Sequence, residues 1–393
     1  MTPDGFPTVG IVGGGQLARM MIQAAIPLGI HIRLLAEHAD DSAARVCPEV
    51  DLGSADDPTA LLAFARMVDA VTLDHELVDL GALEAMLAEG IEVNPKPATL
   101  AYAKDKLHQR TGFAAAGLPV PPFADTPTFA SLLAFADEHG WPVVAKAQRG
   151  GYDGRGVWIL RDRAEAEALI EDAGGRGVAL MVETFVPIQK ELAVLVARRP
   201  SGDMVTYPVV ETVQRDGICH EVIAPAPVPA DVAAEALDIG RRIAELTQAT
   251  GIVATELFWT EDSRLVINEI ATRPHNSGHF SIDGCVTSQF ENHLRAVLDW
   301  PLGATDLVAP VVVMANLLGQ DGESLAPRMP ATLEDAGAKV HLYGKGVRPG
   351  RKIGHINVLG EDLPATREQA ARAAARVTGA PAPTEAAGAR RNA

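Results

Sequence analysis

Four glycines fall among the seven residues Gly150-Gly-Tyr-Asp-Gly-Arg-Gly156. Ordering glycines at that density costs backbone entropy, so it makes sense where backbone N–H groups must approach a ligand. Lys146 just before the run and Arg155 inside it make that ligand an anion. The stretch reads as a flap over the phosphates of a nucleotide, with a mobile hairpin tip as the alternative. A second set lies downstream. Glu256 sits in one apolar run, Thr255-Glu-Leu-Phe258, and Asn268 and Glu269 sit in another, Val266-Ile-Asn-Glu-Ile270. If the runs pair as strands, the two carboxylates can point at one spot, and hard oxygen ligands beside a phosphate loop are what magnesium needs. Arg273-Pro-His-Asn-Ser-Gly-His279 follows directly, and that many polar side chains in seven residues suit an anion site. Its two histidines lack a third ligand at zinc spacing. Lys345-Gly-Val-Arg-Pro-Gly-Arg-Lys-Ile-Gly-His355 holds four basic residues and three glycines in eleven positions, the make-up of a phosphate clamp. There is no sign of a nucleophilic triad, since Ser277 lacks the strand–elbow–helix setting of a G-x-S-x-G serine.

These groups need elements to hold them. Residues 8–12 read as a buried strand, Gly13-Gly-Gly15 as a tight turn, 16–28 as a helix and 31–35 as the next strand. This is an opening of the dinucleotide-binding type, and Gly13-Gly-Gly15-x-x-Ala18 fits its glycine pattern. The same turn serves any polar group at a helix N-terminus. A strand at 69–73 carries Asp74-His75-Glu76 at its carboxyl end, where open α/β sheets bind ligands. A helix is expected over 100–116. A helix at 129–138, a strand at 142–145, the glycine loop, a strand at 157–160, a helix at 164–172 and a strand at 179–183 form an α+β unit. Further strands are expected at 191–197, 205–210 and 220–223, then a helix over 231–250. Strands 253–259 and 265–270 form a hairpin turned at Glu261-Asp-Ser-Arg264. A helix at 288–298 and strands at 311–316, 339–342 and 354–358 complete the pattern. The tail from Gly379 is rich in Ala, Pro and Arg without periodicity and is expected to be disordered.

Composition excludes several classes. The chain has 393 residues, enough for two or three domains, and a formal net charge of −17. A diffuse acidic excess argues against nucleic-acid binding, which needs a basic face. Cys47, Cys219 and Cys285 are scattered and odd in number, forming neither a CxxC pair nor a disulfide framework. The first residues lack the basic and apolar segments of a signal peptide, and no apolar run reaches the length of a membrane span. A cytoplasmic protein is the expectation.

The glycine flap, the Glu–Asn–Glu hairpin and the Rossmann-like start together resemble the ATP-grasp superfamily. Gly13-Gly-Gly-Gln-Leu-Ala-Arg-Met20, Arg149-Gly-Gly-Tyr-Asp-Gly-Arg-Gly156, Arg273-Pro-His-Asn-Ser-Gly-His279 and Arg348-Pro-Gly-Arg-Lys-Ile-Gly-His355 are similar to one family within it. That family is N5-carboxyaminoimidazole ribonucleotide synthetase, the ATPase subunit of phosphoribosylaminoimidazole carboxylase. The likeness runs over about residues 8–360 and keeps the motif order. It implies an α/β and α+β chain. A Rossmann-like pre-ATP-grasp domain (1–100) would precede an ATP-grasp domain (101–310, flap subdomain about 120–183), a small C-terminal β-rich domain (311–378) and the tail (379–393). It implies ATP-dependent carboxylation of 5-aminoimidazole ribonucleotide by bicarbonate in purine synthesis, through carboxyphosphate. That chemistry needs positioning and charge neutralisation more than a protein nucleophile.

Carried over motif by motif, the resemblance implies an ATP site of Lys106, Lys146, Gly151, Tyr152, Asp153, Gly154, Arg155, Gly156, Val157, Glu183, Thr184, Phe185, Val186, Glu191, Asn268 and Glu269. The 183–186 segment would meet adenine and Glu191 the ribose. The family often has arginine where Lys106 stands; lysine keeps the charge but not the planar fork. Glu256 and Glu269 would hold Mg2+ (or Mn2+). Gln16, Leu17, Glu76, Tyr152 and Asp153 would meet the ring and ribose of the imidazole ribonucleotide, and Lys345, Arg351 and Lys352 its phosphate. Arg273, His275, Asn276, His279 and Asp153 would serve bicarbonate and carboxyphosphate. A homodimer is implied, with no nucleic-acid or membrane partner. The alternatives are another ATP-grasp carboxylase or ribonucleotide transformylase, an NAD-dependent oxidoreductase using Glu37 for the ribose, and a non-catalytic nucleotide-binding regulator.

Overall fold

The computed structural model describes residues 5–150, 156–320, 322 and 324–380. Residues 151–155 of the glycine loop and 381–393 of the tail, on which expectations were placed, lie outside the described residues. Gly379, where the tail was expected to begin, ends the last helix in a left-handed conformation at φ 72°.

The N-terminal sheet has five parallel strands in the order Glu49–Leu52, His31–Ala36, Thr8–Val12, Ala70–Leu73, Glu92–Val93. Its central strands are buried, as a parallel sheet covered on both faces requires. The Gly13–Gly15 turn leads into helix Gln16–Ala25, and Asp74 fills the end of that helix. Its carboxylate accepts the N–H groups of Gly15 at 2.6 Å and Ala18 at 2.8 Å. A Cβ on Gly15 would lie 2.2 Å from Asp74 Oδ2, so this position admits glycine alone. The slot that a dinucleotide pyrophosphate would use is therefore taken by an internal carboxylate, which removes the physical basis of the oxidoreductase alternative.

The expected single helix over 100–116 is two, Pro97–Lys104 and Lys106–Ala115. Asp105 between them is extended and accepts the N–H of His108 at 2.9 Å, so it caps the second helix instead of continuing the first. The cap places Lys106 and Arg110 one turn apart on one helix face.

A four-stranded antiparallel sheet follows, ordered Phe123–Asp125, Leu180–Thr184, Val143–Ala147, Val157–Leu160. Helices Phe129–His139 and Arg163–Gly175 cover one face with Leu132, Phe135, Leu169 and Ala173 against Val143, Ala145 and Val182. Side chains alternate along a strand. Lys146 and Glu183 therefore emerge on the opposite face, where Val144 pairs with Glu183.

The third sheet has nine strands and is antiparallel throughout. Strands Gly251–Thr260 and Leu265–Ala271 form the expected hairpin at one edge. The strand expected over 205–210 ends at Thr206. Pro208 interrupts it, and a separate strand, Val210–Arg215, takes over. Residues 311–378, expected to build a small β-rich domain, supply strands Val311–Leu318, Lys352–Gly360 and Ala338–Leu342. These are joined edge-on to the same sheet through Ile218–Ala224. A sixteen-residue helix absent from the sequence expectations, Leu363–Thr378, packs Ala370, Ala373 and Val377 on them.

Helix Ala230–Leu246 packs Ala236, Ile239 and Ile243 against Val194, Val196, Val253 and Ile267. Each fully buried aliphatic side chain of this kind contributes about 1.5–3 kcal/mol. Helix Gln289–Val297 does something less usual: its Phe290, Leu294 and Val297 belong to the core of the N-terminal sheet. Its His293 bonds Thr72 Oγ1 at 2.8 Å through Nε2 and accepts the N–H of Ile252 at 3.0 Å through Nδ1. One helix thus locks the first sheet to the third. Among the described residues no helix is long and apolar enough to cross a membrane.

Candidate active site

Two sheets face each other across a set of charged side chains. From the four-stranded sheet come Lys146 and Glu183, only 7 % and 3 % exposed. Glu183 is gripped on both oxygens, by Arg110 Nε at 2.5 Å and Lys146 Nζ at 2.7 Å. Arg110, 1 % exposed, also donates to Gln109 Oε1 at 2.8 Å and to the carbonyl of Asn268 at 2.5 Å. It ties the small sheet to the hairpin of the large one. Lys146 reaches Asn268 Oδ1 at 3.4 Å, and Lys106 bonds Glu269 at 2.5 Å. Burial lowers the Lys146 pKa, with Glu183 opposing. Burial alone would raise the Glu183 carboxyl, but Arg110 and Lys146 hold it below the ordinary carboxylate value.

The hairpin register sets Glu256 directly opposite Glu269. Like charges facing each other across a strand pair are destabilising unless something lies between them. Burial, then Glu269, then Glu191 push the Glu256 pKa up. Burial would do the same to Glu269, but Lys106 overrides it and holds that carboxyl below its ordinary value. Asn268 Nδ2 donates to Glu256 at 3.3 Å, and His275 Nε2 stands 3.4 Å from its other oxygen. The donor set is two hard carboxylates without a thiolate, which suits Mg2+ or Mn2+. Among the described residues no three His, Cys, Asp or Glu side chains form a complete cage. Magnesium normally fills the remainder of its shell with water and substrate phosphate oxygens.

Glu191, on the neighbouring strand Ile188–Arg198, is pushed up to about 7 by burial and is bonded by Gln214. Phe185 is 44 % exposed just past the end of strand Leu180–Thr184, and Val157, 38 % exposed, lies toward the other end of the small sheet, opposite Lys146. Thr184 and Val186 are partly exposed beside Phe185, and Gly156 beside Val157 at the end of the glycine loop.

The 273–279 segment does not act as one surface. Arg273 donates to Glu76 at 2.7 Å, so two predicted groups from different sheets meet. His275 faces Glu256, and burial, Arg273 and Lys352 pull its pKa down to about 3, a neutral ring. Asn276 exchanges two hydrogen bonds with Asn316, at 2.9 and 2.8 Å. His279 departs from its expected role. It is 1 % exposed, its Nδ1 is bonded to Gln289 at 3.0 Å, and its ring lies against Phe290 and His355. A ring so enclosed cannot touch a solvent-borne anion without displacing its neighbours.

The basic loop of residues 345–351 folds back on the first sheet. Lys345 donates to Gln16 Oε1, Ser42 Oγ donates to the carbonyl of Tyr343 at 2.5 Å, and Arg45 bonds the carbonyl of Gly344 at 3.2 Å. Burial lowers the Lys345 pKa, and Arg351 and Lys352 lower it further. Asp74 and Asp41 oppose that lowering. Gln16 is partly exposed, while Leu17 beside it is 5 % exposed. Its side chain packs in the core of the first sheet, so only its backbone can face a ligand.

Comparison with known proteins decides the family. Residues 6–104 match the ribonucleotide synthetase pre-ATP-grasp domain, 111–290 the ATP-grasp domain, and 312–369 the phosphoribosylaminoimidazole carboxylase C-terminal domain. The N5-carboxyaminoimidazole ribonucleotide synthase of Mycobacterium tuberculosis is 49 % identical over 379 residues, covering 94 % of this chain and 87 % of that one. The chain belongs to the N5-carboxyaminoimidazole ribonucleotide synthase family. Its fold is that of the solved synthetase from Thermus thermophilus, with a TM-score of 0.85 at 35 % identity over 94 % of this chain and 98 % of that one. The Aspergillus clavatus synthase, solved with ADP and 5-aminoimidazole ribonucleotide, gives a TM-score of 0.86 at 29 % identity over 95 % and 98 %.

Sequence reasoning missed Arg110 and Gln214 in this candidate site. Arg110 carried a legible signal, its four-residue spacing from Lys106 on a helix. Gln214 had none, because a lone glutamine acquires meaning only from the strand that lays it beside Glu191. Tyr152 and Asp153, like Gly151, Gly154 and Arg155, lie outside the described residues.

Proposed function

We propose that this synthase carboxylates 5-aminoimidazole ribonucleotide with bicarbonate at the cost of ATP, giving N5-carboxyaminoimidazole ribonucleotide, ADP and phosphate. The observation that carries the reading is the cross-strand Glu256–Glu269 pair, set beside Lys106, Lys146 and Asn268 on one side and the Arg273–His275 loop on the other. ATP takes the face between the two sheets. Adenine lies at Phe185 and Val186, the ribose at Glu191, and the phosphates near Lys146 and Lys106. Glu256 and Glu269 would hold Mg2+ or Mn2+, which when bound neutralises phosphate charge.

Bicarbonate lies by Arg273, His275 and Asn276 and attacks the γ-phosphorus. The bond to the β–γ bridging oxygen breaks, leaving ADP and carboxyphosphate. Lys146 and Lys106 offset the charge that develops, and His275 places its Nε2 at the edge of the site. The exocyclic amine of the ribonucleotide then takes the carboxyl carbon, directly or as CO2 released from carboxyphosphate, and phosphate leaves. The ring lies between the Gln16–Leu17 turn and Glu76, and the 5′-phosphate at Lys345, Arg351 and Lys352. The same reading divides the chain at about residues 100 and 310. It takes the enzyme as a cytoplasmic homodimer, in keeping with three free and buried cysteines.

The test is ADP release from Mg-ATP and bicarbonate with and without 5-aminoimidazole ribonucleotide. Stimulation by the ribonucleotide is expected, and its absence overturns the assignment. The phosphate clamp has its own test. Lys345→Ala removes one charge-assisted bond, so the Michaelis constant for the ribonucleotide should rise by roughly 10–100-fold while that for ATP stays near wild type. Equal rises in both would remove Lys345 from the phosphate site.

A further inference from the structure

Helix Gln289–Val297 opens with a residue that the scheme above leaves unused. Gln289 is completely buried, and every polar contact of its amide goes to the 273–279 loop or its end. Its Oε1 accepts the N–H of His275 at 2.9 Å, and its Nε2 donates to the carbonyl of His275 at 2.8 Å. The second Nε2 hydrogen is directed to His279 Nδ1 at 3.0 Å. One side chain thus satisfies both main-chain groups of His275, a task that normally falls to a neighbouring strand. The fit is close. A Cβ on Gly278 would lie 2.5 Å from Gln289 Oε1 and 2.3 Å from Leu195 Cδ2, so the loop crosses this amide only as glycine.

The contacts also settle which way His275 points. Its Nδ1 lies 2.9 Å from Ser277 Oγ and 3.3 Å from the N–H of Ser277, which turns Nε2 toward Glu256 at 3.4 Å. Holding the backbone of His275 therefore aims its Nε2 at the carboxylate edge of the site. The seat of Gln289 is itself fixed from both sides. Four residues on, His293 bonds Thr72 of the first sheet and Ile252 of the third. Phe290 and Leu294 pack in the N-terminal core.

We propose that Gln289 is a positioning residue for the carboxylation step, the amide that fixes the His275 ring beside Glu256 and registers that loop against the part of the chain that holds the ribonucleotide. This rests on reading residues 273–276 as the bicarbonate and carboxyphosphate site. Glutamine is needed in place of glutamate because the carbonyl of His275 and Nδ1 of His279 both require a donor. It is needed in place of leucine because the main chain of His275 would lose both partners.

The full-length Gln289→Leu and Gln289→Glu variants, with His275→Ala as reference, are assayed for kcat and for the Michaelis constants of ATP and ribonucleotide. The number of ADP molecules released per ribonucleotide carboxylated is measured alongside. Gln289→Leu should lower kcat on the order of 10²-fold, the penalty of a misplaced reacting group. It should leave both Michaelis constants near wild type and raise the ADP-to-product ratio, because carboxyphosphate is lost before capture. A wild-type ratio, with activity falling only as folded protein is lost, would make Gln289 a packing residue and overturn the proposal. If the leucine variant does not fold, the isosteric glutamate variant reads the same ratio, and wild-type kcat and ratio there overturn it equally. Unchanged turnover and ratio in His275→Ala would instead fail the site reading itself, whatever Gln289 does.

Discussion

Glu269→Ala should abolish turnover in a chain that still folds. The carboxylate stands opposite Glu256 and bonds Lys106 at 2.5 Å. Its removal halves the hard-oxygen set and frees the Lys106 ammonium from its anchor. Stabilisation of developing phosphate charge by a bound divalent ion is worth several kcal/mol, so kcat should fall by on the order of 10³-fold or more. The fold should tolerate the change. The Glu269 side chain is 40 % exposed, and its loss also relieves the like-charge contact with Glu256. Thermal melting and a Mg2+ titration of ADP release measure the two parts separately. Near-normal activity at ordinary Mg2+ would remove the metal role, and a collapsed melting transition would replace it with a structural one.

Arg110→Leu should act in the opposite way, on stability before chemistry. Arg110 is enclosed, and its three partners are Glu183, the Asn268 carbonyl and Gln109. Truncation leaves the 3 % exposed Glu183 with Lys146 alone and strips the Asn268 carbonyl of a donor. Breaking a buried ion pair by removing one partner costs about 3–5 kcal/mol. Denaturant unfolding should show a loss of that size, whereas removal of Arg66, whose pair with Glu89 lies on the surface, should show little.

The pH dependence follows from the direction of one shift. Glu183 is held below its ordinary value of 4.5 in the folded chain. Its contribution is therefore fully present above the unfolded pKa and is lost as pH falls through the folded one. In Arg110→Leu one of the two cations holding Glu183 down is gone, so the acid side of the stability curve should flatten. An unchanged acid limb would show that Arg110 does not set the Glu183 ionisation.

Most strands and helices were legible because their apolar periodicity is local. The Glu256–Glu269 pairing was legible too, since two apolar runs around a four-residue polar turn leave few registers that bury both. The errors share a cause. The helix over 100–116 broke at Asp105, whose side chain prefers to cap. The strand over 205–210 broke at Pro208, which has no N–H for the ladder. His279 was grouped with His275 because they are neighbours in sequence. Only burial among Gln289, Phe290 and His355 separates them.

The glycine flap and the hairpin show where the division lies. The sequence by itself determined which chemical groups are present and in what order, and from these an anion-gripping loop and a carboxylate pair serving one reaction were expected. The tertiary structure decided which of those groups reach the site. Asp74 closes the first glycine turn from 59 residues away, Arg110 meets the Asn268 carbonyl across 158, and Gln289 holds His275 across 14. None of these partnerships has a period or a motif. Each exists because a buried donor or acceptor must be matched by whatever the packed chain brings within about 3 Å of it.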